Sequence, residues 1–359
     1  MKTRFLMTMI GALLAGGMGA AQADVKIFGH IDTSIDALDV DGGSDDINLN
    51  CTTCSVGFKG SEDLGNGLKA IFKLDFQYDT INRNTGRASG NKTTPATGPT
   101  DPVTSVSDTS SITDRDQWLG LKGNFGQVRI GTISTGYKSH GAMIDPLYRT
   151  ALQGRDHGLQ SSFHSGAGEE LQGRATNTIR YDSPDFNGLK AVAHYTLDSN
   201  ETDEDEDPFG IGASYENGGI LVFADYLDNS QSDSDETTAW KLGGKYSMGM
   251  FGVMGQYEDF ENGSDELNVW HLAGTATMGN SMLYLGFGKG DHDDLANSEY
   301  TAWTLAAMHS LSKRTKAYVG FSQVDCDGGA GANLSACRVD GSNVNGEIDQ
   351  FSLGMKHKF

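Results

Sequence analysis

The stretch GEIDQFSLGMKHKF (residues 346–359) ends on an aromatic residue and decides the fold. Every second side chain in it is apolar or aromatic, with polar or small residues between, and the alternating set is Phe351, Leu353, Met355, His357 and Phe359. A period of two is that of a β-strand whose two faces meet different surroundings. Since chain ends of soluble domains usually gain little from burial, this pattern predicts a strand with lipid on one face and water on the other.

The first 23 residues predict export. Lys2 and Arg4 precede an apolar stretch, and Ala21-Gln22-Ala23 matches the A-x-A pattern of a signal-peptidase site. We therefore expect residues 1–23 to be a cleaved signal peptide and residues 24–359 to be one barrel domain. No later segment approaches the roughly eighteen uninterrupted apolar residues of a membrane helix. The exported chain is then either soluble or crosses a membrane as a barrel.

Composition excludes some classes of function. The chain has 48 acidic and 27 basic residues, a formal net charge of −21, and removing residues 1–23 would make it −23. This balance argues against nucleic acid as a partner, because nucleic-acid-binding proteins need a basic surface. With 48 Gly and only 6 Pro, the chain suits many strands and tight turns better than a disordered polymer.

Two kinds of connector alternate along the exported chain. Seven are short and rich in Gly or Asn: 64–67, 124–127, 185–188, 216–219, 247–250, 277–280 and 312–315. Eight are longer and polar: 39–53, 80–113, 134–173, 198–208, 228–237, 260–265, 291–298 and 325–346. Sixteen strands remain, an even number, as expected for a barrel with both ends on the periplasmic side. We predict an all-β protein, a sixteen-stranded antiparallel transmembrane β-barrel with short periplasmic turns and long extracellular loops.

The strands between these connectors alternate in polarity. LKAIFKLDF (68–76) sets Leu68, Ala70, Phe72, Leu74 and Phe76 against Lys69, Ile71, Lys73 and Asp75. A β-sandwich would also alternate, but its connectors would not follow a strict short–long order. A polar face beside water and an apolar face beside lipid fit the pattern, and only a closed barrel satisfies all backbone groups in a bilayer.

The four cysteines form two sequence-local pairs, Cys51/Cys54 and Cys326/Cys337. An even number in an exported chain favours disulfides, as two local bridges or cross-paired. Their spacings do not match a zinc site. The carboxylate runs 198–208 and 228–236 lack EF-hand spacing, so we predict neither a metal site nor a cofactor. Weak divalent-ion bridging to lipopolysaccharide stays open.

Five segments together resemble Gram-negative general diffusion porins. They are VKIFGHIDTSID (25–36), SVGFKGSEDLGNGLKAIFKLDFQ (55–77), RDQWLGLKGNFGQVRIG (115–131), TIRYDSPDFNGLKAVAHY (178–195) and FSLGMKHKF (351–359). The resemblance implies a trimer in the cell outer membrane that passes small hydrophilic solutes and ions. It also implies that the insertion machinery for barrels reads Phe359 as an assembly signal. The second loop (80–113) would latch onto a neighbouring subunit, and the third loop (134–173) would fold inward and narrow the pore.

The resemblance places acidic residues of the third loop opposite a basic wall. The loop acids are Asp145, Asp156, Glu169 and Glu170, with Asp145 preferred, and the wall candidates are His30, Lys73, Arg115, Arg129, Arg174 and Arg180. At two positions where the family often has Arg, this chain has Ser55 and Thr132. His30 is largely uncharged at neutral pH. Because the sign of the lining charge sets selectivity, the sequence predicts a preference for cations, unless Arg129, Arg174 and Arg180 restore the positive wall.

Other classes fit less well. A barrel enzyme would need a Ser and a His in hydrogen-bond reach, but adjacent pairs such as Ser139–His140 point apart on a strand, and no G-x-S-x-G motif occurs. An anion-specific porin would need a cluster of Arg and Lys residues, whereas the net charge of this chain is strongly negative. A sugar-specific porin would need luminal aromatics, whereas Trp118, Trp240, Trp270 and Trp303 resemble interfacial girdle residues. A soluble adhesin would lack the terminal aromatic strand. We therefore expect a channel, not an enzyme.

Overall fold

The computed structural model describes residues 24–43, 45–81, 112–166, 173–197, 207–228, 237–262, 265–292, 299–327, 335–339 and 342–359. The predicted signal peptide and most of the second loop lie outside these residues. Sixteen strands cross the barrel: β1 (Asp24–Val40), β2 (Asp46–Cys51 and Ser55–Gly65), β3 (Leu68–Tyr78), β4 (Ile112–Gly123), β5 (Gly126–Ser134), β6 (Arg174–Asp182), β7 (Leu189–Thr196), β8 (Phe209–Asn217), β9 (Ile220–Asp228), β10 (Thr237–Met248), β11 (Phe251–Asn262), β12 (Asp265–Met278), β13 (Ser281–His292), β14 (Glu299–Ser310), β15 (Thr315–Asp327) and β16 (Gly346–Lys358).

The barrel closes between its first and last strands. Each strand pairs antiparallel with the next, and β1 pairs with both β2 and β16, so that His30 lies opposite Lys358 and Val40 opposite Ile348. At the seam the backbone N–H and C=O of Phe359 bond to the C=O and N–H of Gly29, each at 3.1 Å. The predicted sixteen-stranded antiparallel barrel is confirmed, but the strict alternation of connectors is not: only residues 263–264 separate β11 from β12, where a long connector was predicted, and residues 183–188 separate β6 from β7, where a short one was predicted.

Alternate side chains of the strands face opposite ways, as predicted. On β16, Phe351 and Leu353 are 47% and 51% exposed on the outer face, whereas Ser352 is fully buried on the inner face. Trp240 and Trp270 are exposed on the outer face, where a girdle residue must lie.

For Trp118 the girdle prediction is wrong. This residue lies opposite Lys73 and Gly131 in the ladders of β4 with β3 and β5. The guanidinium of Arg129 stacks over its indole ring at 5.0 Å. Because directly opposite residues share a face, Trp118 belongs to the same inward-facing set as Lys73.

The two cysteine pairs form local disulfides. Cys51–Cys54 closes a turn that divides β2 into its two segments, and Cys326–Cys337 joins the end of β15 to a short 3₁₀ helix, Ser335–Cys337. Both cysteines of the first bridge are fully buried on the inner side of the barrel, beside β1. The CTTC segment is therefore part of the barrel wall and not of a surface loop.

The third loop packs against one side of the barrel interior. It begins with a helix, α1 (Gly136–Met143), capped by the Thr135 side chain, and continues through 3₁₀ helices at Gly154–Asp156 and Ser162–His164. None of the described helices is long and apolar enough to span a membrane. Beyond α1 the loop buries Ile144, Leu147, Leu152 and Leu159 against inward-facing residues of β13, β14 and β15, namely Tyr284, Tyr300, Ala302, Ala306, Met308 and Tyr318. The apolar core of the molecule thus lies inside the barrel, between this loop and these strands.

Candidate constriction site

A buried polar network anchors the start of the third loop to β10 and β11. The Tyr137 hydroxyl donates to Glu258 Oε2 at 2.8 Å, and the backbone N–H of Ser161 donates to Glu258 Oε1 at 3.0 Å. Lys241 Nζ lies 3.0 Å from His164 Nε2. Burial and then the nearby Lys241 ammonium hold the pKa of His164 well below its usual range, so its ring is neutral in this network. These contacts and the apolar core fix the loop across the pore.

The opposite wall of the pore contains a β-bulge that exposes two charged residues to the lumen. Leu74 pairs with Gln117 and Phe76 with Asp114, so Arg115 and Asp116 together face Asp75. A bulge of this kind has one extra residue, and it breaks the strict alternation of the two residues that face a single partner. It explains how an Arg and an adjacent Asp both reach the pore.

Arg115 is almost fully buried on this wall. Its Nη1 donates to Gln77 Oε1 at 2.5 Å, and its Nε lies 3.6 Å from the Asp75 carboxylate. The side chain is therefore held at both ends of the guanidinium by β3.

Asp116 forms ion pairs with two further cations of the wall, Lys73 and Arg174. Its carboxylate accepts from Lys73 Nζ at 2.8 Å, from Arg174 Nε at 3.0 Å and from the Ser134 hydroxyl at 2.8 Å. Three of the predicted wall residues, Lys73, Arg115 and Arg174, are thus brought to one place by strands β3, β4 and β6.

Arg129 and Arg180 form a separate pair around Asp182. Arg180 Nη2 donates to Asp182 Oδ1 at 2.7 Å, and Arg129 donates to the other carboxylate oxygen. Arg180 also donates to the backbone carbonyl of Ser134. The arginines and the lysine of the predicted basic wall therefore form two clusters, one around Asp116 and one around Asp182.

His30 lies on β1 at the point where the third loop approaches the first strands. Its Nδ1 is 3.1 Å from Arg149 Nη1 and 3.2 Å from the Ser55 hydroxyl, and its Nε2 is 3.2 Å from the Thr53 hydroxyl. The ring is 2% exposed. Ser55, which stands where the family pattern has Arg, serves here as a hydrogen-bonding partner of His30.

The predicted loop acids are engaged within the loop itself. Asp145 accepts from the backbone N–H of Leu147 at 2.9 Å and of Gly154 at 3.0 Å, and burial raises its pKa to about 6. Asp156 accepts from Gln153 Nε2 at 2.6 Å. Asp145 therefore organises the turns of the loop instead of facing the basic wall. Glu169 and Glu170 lie outside the described residues.

Three basic residues of the third loop join the wall cluster, and the site prediction did not include them. Burial lowers the pKa of Lys138 well below its usual range, and the charges of Arg174 and Arg155 lower it further. Arg149 and Arg155 flank the Tyr148 ring at 5.7 and 5.4 Å. Burial raises the pKa of Tyr148, but these guanidiniums outweigh burial and the net shift is downward. All three basic residues are apparent in the loop sequence, whereas the family resemblance implies acidic residues at this loop.

The constriction consequently contains more cationic than anionic side chains. Its cations are Lys73, Arg115, Arg149, Arg155 and Arg174, whereas the carboxylates nearest to them are Asp75, Asp116, Asp145 and Asp156. The Nε atoms of Arg115, Arg149 and Arg155 have no hydrogen-bond partner among the described residues. No group of three or more His, Cys, Asp or Glu side chains in the described part of the chain could hold a metal ion.

Comparisons with known proteins agree with this architecture. The chain is 27% identical to "Outer membrane porin protein 32" of Delftia acidovorans over 98% of both chains. It is 27% identical to "Major outer membrane protein P.IB" of Neisseria meningitidis over 60% of this chain, and the match spans 57% of the Neisseria protein. Among solved structures, the "Anion-selective porin from Comamonas acidovorans" superposes with a TM-score of 0.74 at 23% identity, covering 94% of this chain and all of that one.

The family model described as "Gram-negative porin" matches residues 8–329, most of the chain. The relatives are outer-membrane proteins, and the closed sixteen-stranded barrel is the fold of the Comamonas porin. The chain belongs to the Gram-negative porin family and is an outer-membrane protein.

Proposed function

We propose that the protein is a passive, water-filled channel for small hydrophilic solutes and ions, without catalytic activity, whose constriction favours anions. The observation that carries the proposal is the convergence of Arg149 and Arg155 of the third loop, around the Tyr148 ring, on the wall that holds Arg115 and Arg174. The sign of the charge lining a narrow pore sets which ions enter it. Cations on both sides of the constriction lower the energy of an anion there.

This sign is the reverse of the cation preference predicted from the sequence. That prediction counted the neutral residues Ser55 and Thr132 and the acidic total of the chain. The third loop offsets those neutral positions with its own cations, and Asp116 is already engaged by Lys73 and Arg174. The acidic runs 198–206 and 229–236 lie outside the described residues. The similarity to the Comamonas porin, which is described as anion-selective, supports the same sign.

We further propose that the channel is a homotrimer embedded in outer-membrane lipid and lipopolysaccharide, inserted by the barrel-assembly machinery through Phe359. The support for the trimer is the family resemblance. The support for Phe359 is its place at the barrel seam, hydrogen-bonded to Gly29 and 39% exposed. Size-exclusion chromatography with light scattering of protein extracted in mild detergent tests the trimer, and a monomer in that assay would contradict it.

Reversal potentials across a planar bilayer in a potassium chloride gradient test the selectivity. We expect discrete conductance steps and a potential of the sign that anion permeation gives. Arg155→Gln should reduce the anion-to-cation permeability ratio about twofold, because one cation of the constriction is lost. Arg314→Gln, an identical change on an exposed short turn, should leave the ratio unchanged. A wild-type potential of cation-selective sign would refute the proposal.

A further inference from the structure

Two residues with left-handed backbone meet at one imidazole. Thr53, in the disulfide-closed turn of β2, has φ 52°, and Arg149, in the third loop, has φ 63°. The Thr53 hydroxyl lies 3.2 Å from His30 Nε2, and Arg149 Nη1 lies 3.1 Å from His30 Nδ1. Positive φ is uncommon for residues other than Gly and especially so for a β-branched residue such as Thr. Such conformations persist where the surroundings hold them, and they concentrate at functional sites.

The surroundings of Thr53 are a covalent clamp on the barrel wall. Cys51–Cys54 closes the turn that contains Thr53. The backbone N–H of Asp32 donates to Cys54 Sγ at 3.4 Å, and the backbone N–H of Thr52 donates to the Asp32 carbonyl at 3.1 Å. The turn is thus fastened to β1 two residues beyond His30.

The hydrogen-bond directions through His30 follow from its neighbours. An Arg side chain has only donors, so Nδ1 of His30 must accept from Arg149. The remaining ring nitrogen, Nε2, then carries the proton and donates to the Thr53 hydroxyl. The ring is held from both sides, and its acceptor nitrogen is directed at the Arg149 guanidinium. Gln153 Oε1 accepts from the Arg149 backbone N–H at 3.0 Å and supports the loop conformation.

We propose that the Cys51–Cys54 turn and His30 are positioning residues that fix the Arg149 guanidinium in the constriction and thereby set the ion selectivity. Without the closed turn, Thr53 would relax to negative φ and withdraw its hydroxyl, the imidazole would lose its fixed orientation, and Arg149 would sample several positions. This inference rests on the proposed function, because it names what determines the selectivity of that same site.

The test compares two disulfide variants in planar bilayers. Cys51→Ser/Cys54→Ser removes the clamp, and Cys326→Ser/Cys337→Ser removes the other disulfide, which lies where β15 meets the last long loop. Heat-modifiable migration on gels establishes that each barrel is folded. We expect the first variant to lower the anion-to-cation permeability ratio about twofold and to increase open-channel current noise, because a mobile charge focuses anions less well. The second should match the wild type in both readouts.

Single substitutions keep the test decisive if the first double variant does not fold. Thr53→Gly accepts positive φ without strain but lacks the hydroxyl, so it should reproduce the shift in permeability ratio with the disulfide intact. Thr53→Asn tolerates positive φ and retains a side-chain acceptor, so it should restore the wild-type ratio. His30→Ala should give the same shift as Thr53→Gly, and combining them should add nothing, because both act through Arg149.

Failure of the inference is distinguishable from failure of the proposed function. A wild-type channel with anion preference whose reversal potential is unchanged in Thr53→Gly and His30→Ala would overturn the positioning role alone. A wild-type channel that is silent or prefers cations would overturn the proposed function, and the inference with it.

Discussion

The hydroxyl of Tyr137, in the first turn of the third loop, donates a 2.8 Å hydrogen bond to Glu258 on β11, 121 residues later in the chain. Both residues are buried, and the same carboxylate accepts from the backbone and the hydroxyl of Ser161. Every partner of Glu258 in this group is a donor. At this anchor the loop depends on one carboxylate that accepts from several donors, a role that an amide cannot fill.

Glu258→Gln should loosen the third loop. The amide NH₂ would face the donors of Tyr137 or Ser161, and the loss of hydrogen bonds to a charged group costs about 2 kcal/mol of docking free energy. We expect closing events in single-channel recordings to become at least about tenfold more frequent. Glu261→Gln, at the exposed rim of the same strand, is the matched control. Equal gating in both variants would show that the anchor does not restrain the loop.

The absence of a side chain at Gly288 allows the third loop to pack closely against the barrel wall. A Cβ at Gly288 on β13 would lie 2.9 Å from the Gly158 carbonyl oxygen and 3.1 Å from Leu159 Cδ2. Gly288→Leu should therefore push the loop into the pore, reducing conductance and destabilising the barrel by about 1–3 kcal/mol. At Gly274, on the outer face of β12, the nearest atom to an added Cβ is 3.9 Å away, so Gly274→Leu should leave conductance unchanged. Conductance histograms of the two variants decide the matter.

The barrel could be predicted from the sequence because its signal is repeated in every strand. Alternation of period two in segments such as Leu68–Tyr78, with short and long connectors in turn, allows one closed architecture. The inner surface could not be predicted in the same way. The bulge at Arg115–Asp116 changes which residues face inward, and a change of one residue exchanges the two faces of a strand. Nothing local in RDQW marks such a bulge.

The partners of the constriction residues were also beyond the sequence. Asp145 and Arg149 lie four positions apart on one loop, yet one bonds to the loop's own backbone and the other reaches His30, 119 residues earlier. Long-range contacts of this kind depend on how the loop folds inside the barrel. The family resemblance predicted the inward fold of the loop, and the charge that it presents depends on turns specific to this chain.

The pKa of Asp145 predicts how stability depends on pH. Burial raises this pKa to about 6 from its usual 3.8, so between about pH 4 and pH 6 the folded protein holds a proton that the unfolded chain releases. The contribution of Asp145 is therefore complete below pH 4 and is lost as the pH rises through 6, by up to about 3 kcal/mol. Denaturant midpoints of wild type and Asp145→Asn at pH 4.5 and pH 7 measure it. The wild type should lose more stability over this interval than the variant, and parallel losses would contradict the prediction.

Removing the charge of Asp116 should increase the anion preference, whereas removing a cation should decrease it. The Asp116 carboxylate offsets the charges of Lys73 and Arg174. Asp116→Asn should leave both cations without a counter-charge and raise the anion-to-cation permeability ratio about twofold. The same variant should be less stable, because the two cations then repel each other. Asp63→Asn is the matched control: Asp63 accepts from the Gly65 N–H on a short turn, and Asn retains that acceptor. An unchanged reversal potential in Asp116→Asn would mean that Lys73 and Arg174 do not face the conducting path.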